Sequence, residues 1–335
     1  MMKKLRWGVL GAANIAIKAV IPAIQAGETG IVAAIASRSL AKAQSVAADL
    51  GIAKAYGSYE ELLRDPDIDA IYNPLPNHLH MPMTLEAIRH GKPVLCEKPI
   101  ALTAEEAMQI ADAASSSGVL VAEAFMVRHH PQWLKVRDLV KAGRIGEVRS
   151  IQTIFSYYLD DPANVRNQKD IGGGGLYDVG CYAINTARFV FDGEPERVIG
   201  LFDQDETFQT DRMMSGLAEF SANRHLTFTC ATQLSLCQKV TVLGTKGRIE
   251  IAIPFNAPTD APTTITIDDG RDLTGGGCEV IEISAANQYG LQCDAFARAV
   301  LAGEPLLSGL GDAVANMKVI DAFFRSAKSN GWEQP

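Results

Sequence analysis

The chain lacks what would place it among membrane, nucleic-acid-binding or disulfide-built proteins. No apolar stretch approaches the roughly 20 residues that span a bilayer, so no transmembrane segment is expected. No basic run interrupts a formal net charge of -8, which argues against nucleic acid or an acidic membrane surface as partner. The six cysteines, Cys96, Cys181, Cys230, Cys237, Cys278 and Cys293, include no C-x-x-C pair. In a chain of this size they read as reduced, mostly buried thiols. Internal repeats and low-complexity tracts are also missing. The first seven residues carry charge like the start of a signal peptide, but Arg6 interrupts the run and no A-x-A site closes an apolar stretch, so a cytoplasmic protein is expected.

What is present is an ordinary folded composition, 47% hydrophobic and 21% charged over 335 residues. That length exceeds the size at which one core usually stops growing, so two domains are expected, 1–124 and 125–335. From residue 7 short apolar runs alternate with helical stretches: Trp7–Leu10, Asn14–Ala26, Ile31–Ala36, Leu40–Leu50, and onward to Val119–Ala122. The βαβα order with fully apolar strands predicts an α/β fold, an N-terminal doubly wound parallel sheet of the Rossmann type. After about residue 147 strands such as Val148–Tyr157, Met213–Phe220, Leu226–Gln233 and Lys239–Leu243 follow one another through turns. They predict a C-terminal α+β domain with an open, mostly antiparallel sheet. A helix near Leu176–Val190 interrupts it, and two more, near Gln288–Leu301 and Asp312–Lys328, close the chain. The last has an apolar stripe at Ala315, Val319, Ile320 and Phe323, suited to a core that can be the first domain's.

Strand one runs into Gly11-Ala-Ala13-Asn14-Ile15-Ala16, a G-x-A-x-x-A form of the dinucleotide turn placed before a helix. Gly11 suits the tight turn, Ala13 a close approach of backbone to pyrophosphate, and Ala16 close helix packing, with the helix N-terminus toward the phosphates. At the end of the second strand, where NAD enzymes usually carry a carboxylate for the ribose, stand Ser37 and Arg38. A hydroxyl and a guanidinium suit a 2′-phosphate, so NADP is expected over NAD. His78 and His80 could share a strand face, but they lie in a Pro-Asn loop without cysteine or carboxylate neighbours, and no metal is expected.

Cys96-Glu97-Lys98-Pro99 at the end of a strand, with the Gly11 turn, Asn73-Pro74-Leu-Pro-Asn77-His78-Leu-His80 and Glu123-Ala-Phe-Met126, resembles the glucose-fructose oxidoreductase, inositol dehydrogenase and rhizopine catabolism family (Gfo/Idh/MocA) over the whole chain. The resemblance implies that Lys98 lies beside nicotinamide and substrate, and that Pro74, Asn77, His80 and Glu97 shape the dinucleotide pocket. A second block, Gly172-Gly-Gly-Gly175-Leu-Tyr-Asp178-Val-Gly-Cys-Tyr182-Ala-Ile-Asn185, is similar to the family's D-x-G-x-H segment with tyrosine in place of histidine. This substitution is similar to the branch of glucose-fructose oxidoreductase, dimeric dihydrodiol dehydrogenase and NADP-dependent D-xylose dehydrogenase. Asp178 and Tyr182, four apart at a helix start, can point the same way. A phenol becomes a usable proton-transfer group where a cation such as Lys98 favours phenolate. Arg128 and Arg166 resemble substrate-side positions of the branch.

These residues imply a dehydrogenase acting on CH–OH groups of a sugar, polyol or trans-dihydrodiol, in a homo-oligomer, a dimer or tetramer built through an uncovered apolar face of the second sheet. Two alternatives stay open: a sugar–sugar oxidoreductase that keeps its cofactor, and a non-enzymatic dinucleotide sensor on the same fold. A sensor needs none of Lys98, Asp178 and Tyr182.

Overall fold

The computed structural model describes residues 4–335, which divide into two compact units. The first runs to Met126 and takes in Asn287–Val314 again; the second comprises Val127–Ala286 and Ala315–Pro335.

In the first unit β1 (Leu5–Leu10), α1 (Ile21–Ala26), β2 (Gly30–Ala36), α2 (Leu40–Leu50), β3 (Lys54–Tyr56), α3 (Tyr59–Arg64), β4 (Ala70–Asn73), α4 (His80–Arg89), β5 (Val94–Glu97), α5 (Ala104–Ser117) and β6 (Val121–Ala124) alternate as the apolar rhythm implies. The six strands form a parallel sheet in the order β3-β2-β1-β4-β5-β6. The order reverses beside β1, the place where open α/β sheets bind ligands beyond the carboxyl ends of their strands. Local chemistry sets the helix limits. Ser39 caps α2 by accepting the Lys42 N–H, and Gly51 ends it in a left-handed conformation.

The second unit starts with α6 (Pro131–Lys141), a helix absent from the sequence reading although Pro131 occupies its first turn and His130 Nδ1 accepts the Gln132 N–H as its cap. Then follow β7 (Val148–Tyr158), α7 (Cys181–Phe191), β8 (Pro195–Gln204), β9 (Asp211–Phe220), β10 (Arg224–Ala231), β11 (Gln233–Gly244), β12 (Gly247–Ile251), β13 (Thr263–Asp268) and β14 (Cys278–Ile283). The eight strands are ordered β14-β13-β12-β11-β7-β10-β9-β8. Every neighbouring pair is antiparallel except β7 with β10. That one parallel pair needs the long crossover through α7, β8 and β9.

Two closing helices complete the chain. α8 (Gln288–Ala302) returns to the first unit, where Cys293, Phe296 and Ala297 are buried with Trp7 and Ile24. The Trp7 and Phe296 rings lie 5.4 Å apart. α9 (Leu310–Ser329) counts with the second unit from Ala315 on, not with the first domain's core, because Phe323 meets Phe228 edge-on at 5.3 Å.

Alternation along the second sheet separates its faces. Ile151, Leu226, Phe228, Val240 and Val242 are buried on one side. The other side presents Gln152, Ser215, Thr229, Lys239 and Thr241, with Ser215 and Thr229 hydroxyls 2.9 Å apart. The middle of this open face is hydroxyl-rich, which corrects the expectation of an apolar one, although Leu201 of β8, paired with Ser215, is 78% exposed at its edge. The reason lies in composition: threonine suits a strand as well as valine does while leaving the outer face polar. Among the described residues no helix is long and apolar enough to cross a membrane.

Candidate active site

The dinucleotide half is built at the carboxyl ends of β1, β2, β4 and β5. Gly11, where β1 ends, has φ of +87°, and a Cβ there would lie 2.7 Å from Leu75. Both facts restrict the position to glycine. Ala13, half-buried, accepts the Ile17 N–H at 3.0 Å, and a π-type turn over Ala16–Val20 leads into α1. Asn14 is exposed and Ile15 half-buried at this helix start. After β2, Ser37 is buried and its Oγ accepts the Ser39 N–H at 3.3 Å, while Arg38 is exposed. The charge of Arg38 bears on the Tyr59 phenol, whose pKa burial raises and Arg38 draws back. Tyr59 was missed in the sequence. Its hydroxyl lies 3.9 Å from the position of a Gly11 Cβ, so it stands beside the phosphate turn. The donor set of hydroxyls and guanidinium with no carboxylate fits a 2′-phosphate.

The Glu97-Lys98-Pro99 segment is fixed from beneath. The Tyr72 hydroxyl on β4 donates to Glu97 Oε1 at 2.7 Å, and Glu97 Oε2 accepts the Lys98 N–H at 3.3 Å. Tyr72 is fully buried, and burial followed by the Glu97 charge holds its pKa far above the ordinary value, so it stays a donor. The next peptide, Lys98–Pro99, is cis. Ile100 N–H donates to Glu123 Oε1 at 2.8 Å, which gives that residue of the sequence motif its work.

His80 has a different place from the one expected. It is 1% exposed, with Nδ1 2.7 Å from the Pro99 carbonyl oxygen and Nε2 2.6 Å from that of Leu75. It therefore braces the Pro74–Asn77 loop against the Lys98 segment from inside the unit rather than lining a pocket. Burial takes its pKa down to about 4 against the pull of the two carbonyls. Pro74 is buried and Asn77 half-buried in the braced loop.

The substrate half gathers on the face of β7. Asp178 lies in a π-type turn, Leu176–Gly180, that runs directly into α7; such turns favour functional sites. Asp178 Oδ2 accepts the Tyr157 hydroxyl at 2.5 Å and Arg166 Nε at 2.8 Å. Tyr182 is 6% exposed, edge-on to Phe155 at 5.8 Å and 5.4 Å from Phe255. Phe155 and Tyr157 are two apart on β7 and share a face, so Asp178 and Tyr182 lie over adjacent positions of one strand. Burial and then Asp178 raise the Tyr157 pKa, so this phenol stays protonated. Asp178, ahead of burial, holds the Arg166 guanidinium charged.

Arg128 is 5% exposed. Its Nε donates to Asn185 Oδ1 at 2.7 Å and it lies over the Phe189 ring, so it clamps the flank of α7. Tyr157 is the functional residue the sequence reading missed in this half. The strand around it reads as core, and only its pairing with a carboxylate 21 residues on gives it a role.

A model of the oxidoreductase family with an NAD-binding Rossmann fold, GFO/IDH/MocA, matches residues 5–125, and a GFO/IDH/MocA C-terminal domain matches residues 133–250. The chain belongs to the GFO/IDH/MocA oxidoreductase family. It is 39% identical to D-xylose 1-dehydrogenase (NADP(+)) 2 of Haloferax volcanii over 97% of this chain and 98% of that one. It is 35% identical to trans-1,2-dihydrobenzene-1,2-diol dehydrogenase of Xenopus tropicalis over 76% and 77% of the two chains. Among solved structures, a 3-ketoreductase from Actinomadura kijaniata in complex with NADP and TDP-benzene superimposes with a TM-score of 0.91 at 29% identity, covering 97% of this chain and 98% of that one. Among the described residues no cluster of three or more His, Cys, Asp or Glu suits a metal.

Proposed function

We propose that this chain is an NADP-dependent oxidoreductase that transfers a hydride between the nicotinamide and a hydroxyl-bearing carbon of a sugar, polyol or trans-dihydrodiol. The observation that carries the reading is the charge-paired cluster of Tyr157, Arg166 and Asp178 on the turn that leads to Tyr182. A carboxylate with one oxygen already fixed by two donors is suited to order a substrate hydroxyl. The relatives named as NADP-dependent xylose dehydrogenase and as dihydrodiol dehydrogenase support the substrate class.

In this reading Tyr182 moves the proton of the reacting hydroxyl and Asp178 binds a neighbouring hydroxyl. Tyr157, kept protonated, holds Asp178 and takes no proton itself. Lys98, on a backbone fixed by Glu97 and Tyr72, orients the reacting oxygen. Bound NADP supplies the acceptor and donor of the hydride. Ser37 and Arg38, with Tyr59, account for the 2′-phosphate. A homo-oligomer belongs to the same reading. Sedimentation as a monomer at micromolar concentration counts against it.

The deciding experiment is a panel of aldoses, inositols and trans-dihydrodiols assayed for NADPH appearance. Turnover of at least one class, with NADP preferred, is the expected result. Cofactor that survives desalting, together with turnover only when a second sugar is added, would assign the chain to sugar–sugar exchange instead. No turnover in either format, with NADP bound, overturns the proposal in favour of a sensor.

A further inference from the structure

The run Gly172–Gly175 has no role in the chemistry above, yet two of its members admit no side chain. A Cβ on Gly173 would lie 2.6 Å from the Arg166 carbonyl oxygen and 2.7 Å from that of Gln168. Gly174 has φ of +115°, and its Cβ would lie 1.9 Å from Asp211 Oδ1. The strip is therefore pressed between the Arg166 loop and the first residue of β9. Hydrogen bonds fasten both sides. Gly174 N–H donates to the Arg166 carbonyl at 2.9 Å and Gly173 N–H to that of Gln168 at 3.0 Å. Leu176 N–H donates to Asp211 Oδ2 at 2.6 Å, and the Gly174 carbonyl accepts the Asp178 N–H at 3.1 Å.

The geometry points to Asp211 as a positioning residue for substrate: its carboxylate fixes the start of the helix that bears Asp178 and Tyr182 and, through Gly174, the loop that bears Arg166. Arg166 is then held at both ends, its carbonyl by the glycine strip and its guanidinium by Asp178. The pair stands preformed instead of assembling when substrate arrives, which lowers the ordering cost of binding. Asp211 is 5% exposed and makes no ion pair among the described residues. Arg212 beside it turns to Asp203 at 3.0 Å, and the titratable group on which the Asp211 charge acts is Cys230 on β10. Its partners are backbone N–H groups, those of Gly175 and Leu176 and its own. A side chain partnered in this way acts through backbone position.

The inference rests on the reading that Asp178 and Arg166 serve substrate, so its test has two independent arms. In the kinetic arm Asp211→Ala should raise the KM for the sugar or diol roughly 10- to 100-fold, the range for a lost charged hydrogen bond, with the KM for NADP unmoved. Asp211→Asn retains one acceptor oxygen of the same shape, is the variant to use if the alanine protein does not fold, and should recover part of the loss. In the second arm amide exchange of the substrate-free variants should accelerate over residues 164–182 and stay unchanged over residues 5–125. An unchanged sugar KM, an equal rise in the NADP KM, or exchange accelerated across both units overturns the assignment. Should the wild-type protein oxidise none of the compounds, the functional reading fails, and the exchange arm still decides the role of Asp211.

Discussion

The two halves of the candidate site are held by different means. In the parallel-sheet unit the phosphate turn follows from backbone conformation within six consecutive residues, Gly11–Ala16, whereas the Lys98 segment rests on Glu97 beside it and on Tyr72, His80 and Glu123 from neighbouring elements. In the second unit the cluster of Tyr157, Arg166, Asp178 and Asp211 joins residues up to 54 positions apart, and side chains carry most of it. Local geometry makes the phosphate turn tolerant of change elsewhere, whereas the cluster of the second unit depends on side chains from distant positions.

The sharpest way to break the comparison is Tyr182→Phe. It should lower kcat by about 10²- to 10⁴-fold, the usual contribution of general acid–base catalysis, with NADP affinity unchanged. Stopped-flow turnover and fluorescence titration of NADPH measure the two separately. Lys98→Ala should be at least as damaging, and the double variant should lose little more than the worse single one, because groups that act as a unit are non-additive.

Next in size is an opposite response to pH. His80 has its folded pKa near 4 against an ordinary 6.5. Burial disfavours the charged ring, so this effect stabilises the fold above pH 6.5 and is lost as pH falls toward 4, while the two carbonyl oxygens, of which the neutral ring can serve one with an N–H, pull the other way. Asp211 has its carboxyl pushed up by burial to about 7 against the pull of three backbone N–H groups. The fold binds its proton more tightly than the unfolded chain does, so acidification from pH 7 toward 4 stabilises the second unit. Amide exchange corrected for intrinsic rates should show protection falling around residues 73–100 and rising around residues 174–182 over this range. A shared direction in both would refute the contrast.

Arg38→Ala should reduce kcat/KM for NADP by roughly 10- to 100-fold while leaving NAD nearly unchanged, since charge-assisted hydrogen bonds contribute about 1.5–3 kcal/mol. Equal kcat/KM for the two cofactors in the wild-type protein would remove the basis for this assignment. The smallest effect is expected from Tyr157→Phe. It removes one donor to Asp178 and keeps the ring packed, and because Arg166 still holds the carboxylate the sugar KM should rise by only a few-fold. A larger loss than that of Tyr182→Phe would exchange the roles given to the two phenols.

The sequence by itself determined the alternation of apolar strands with helices, hence the parallel sheet, and the turn at Gly11, because periodicity and backbone sterics act over a few residues. It also marked Lys98, Asp178, Tyr182 and Arg166. Tertiary structure alone decided what those side chains meet. His80 reads as a loop residue but fills a buried gap between two carbonyls, and Arg128 turns onto α7. α8 leaves the second half of the chain to cover Trp7. Tyr157 and Asp211 carried no signal, since a tyrosine in a strand and an aspartate before one are common and acquire meaning only from partners 21 and 35 residues distant. Contacts of that range follow from how strands are ordered across a sheet, and strand order across a mixed sheet has no period in the sequence to record it.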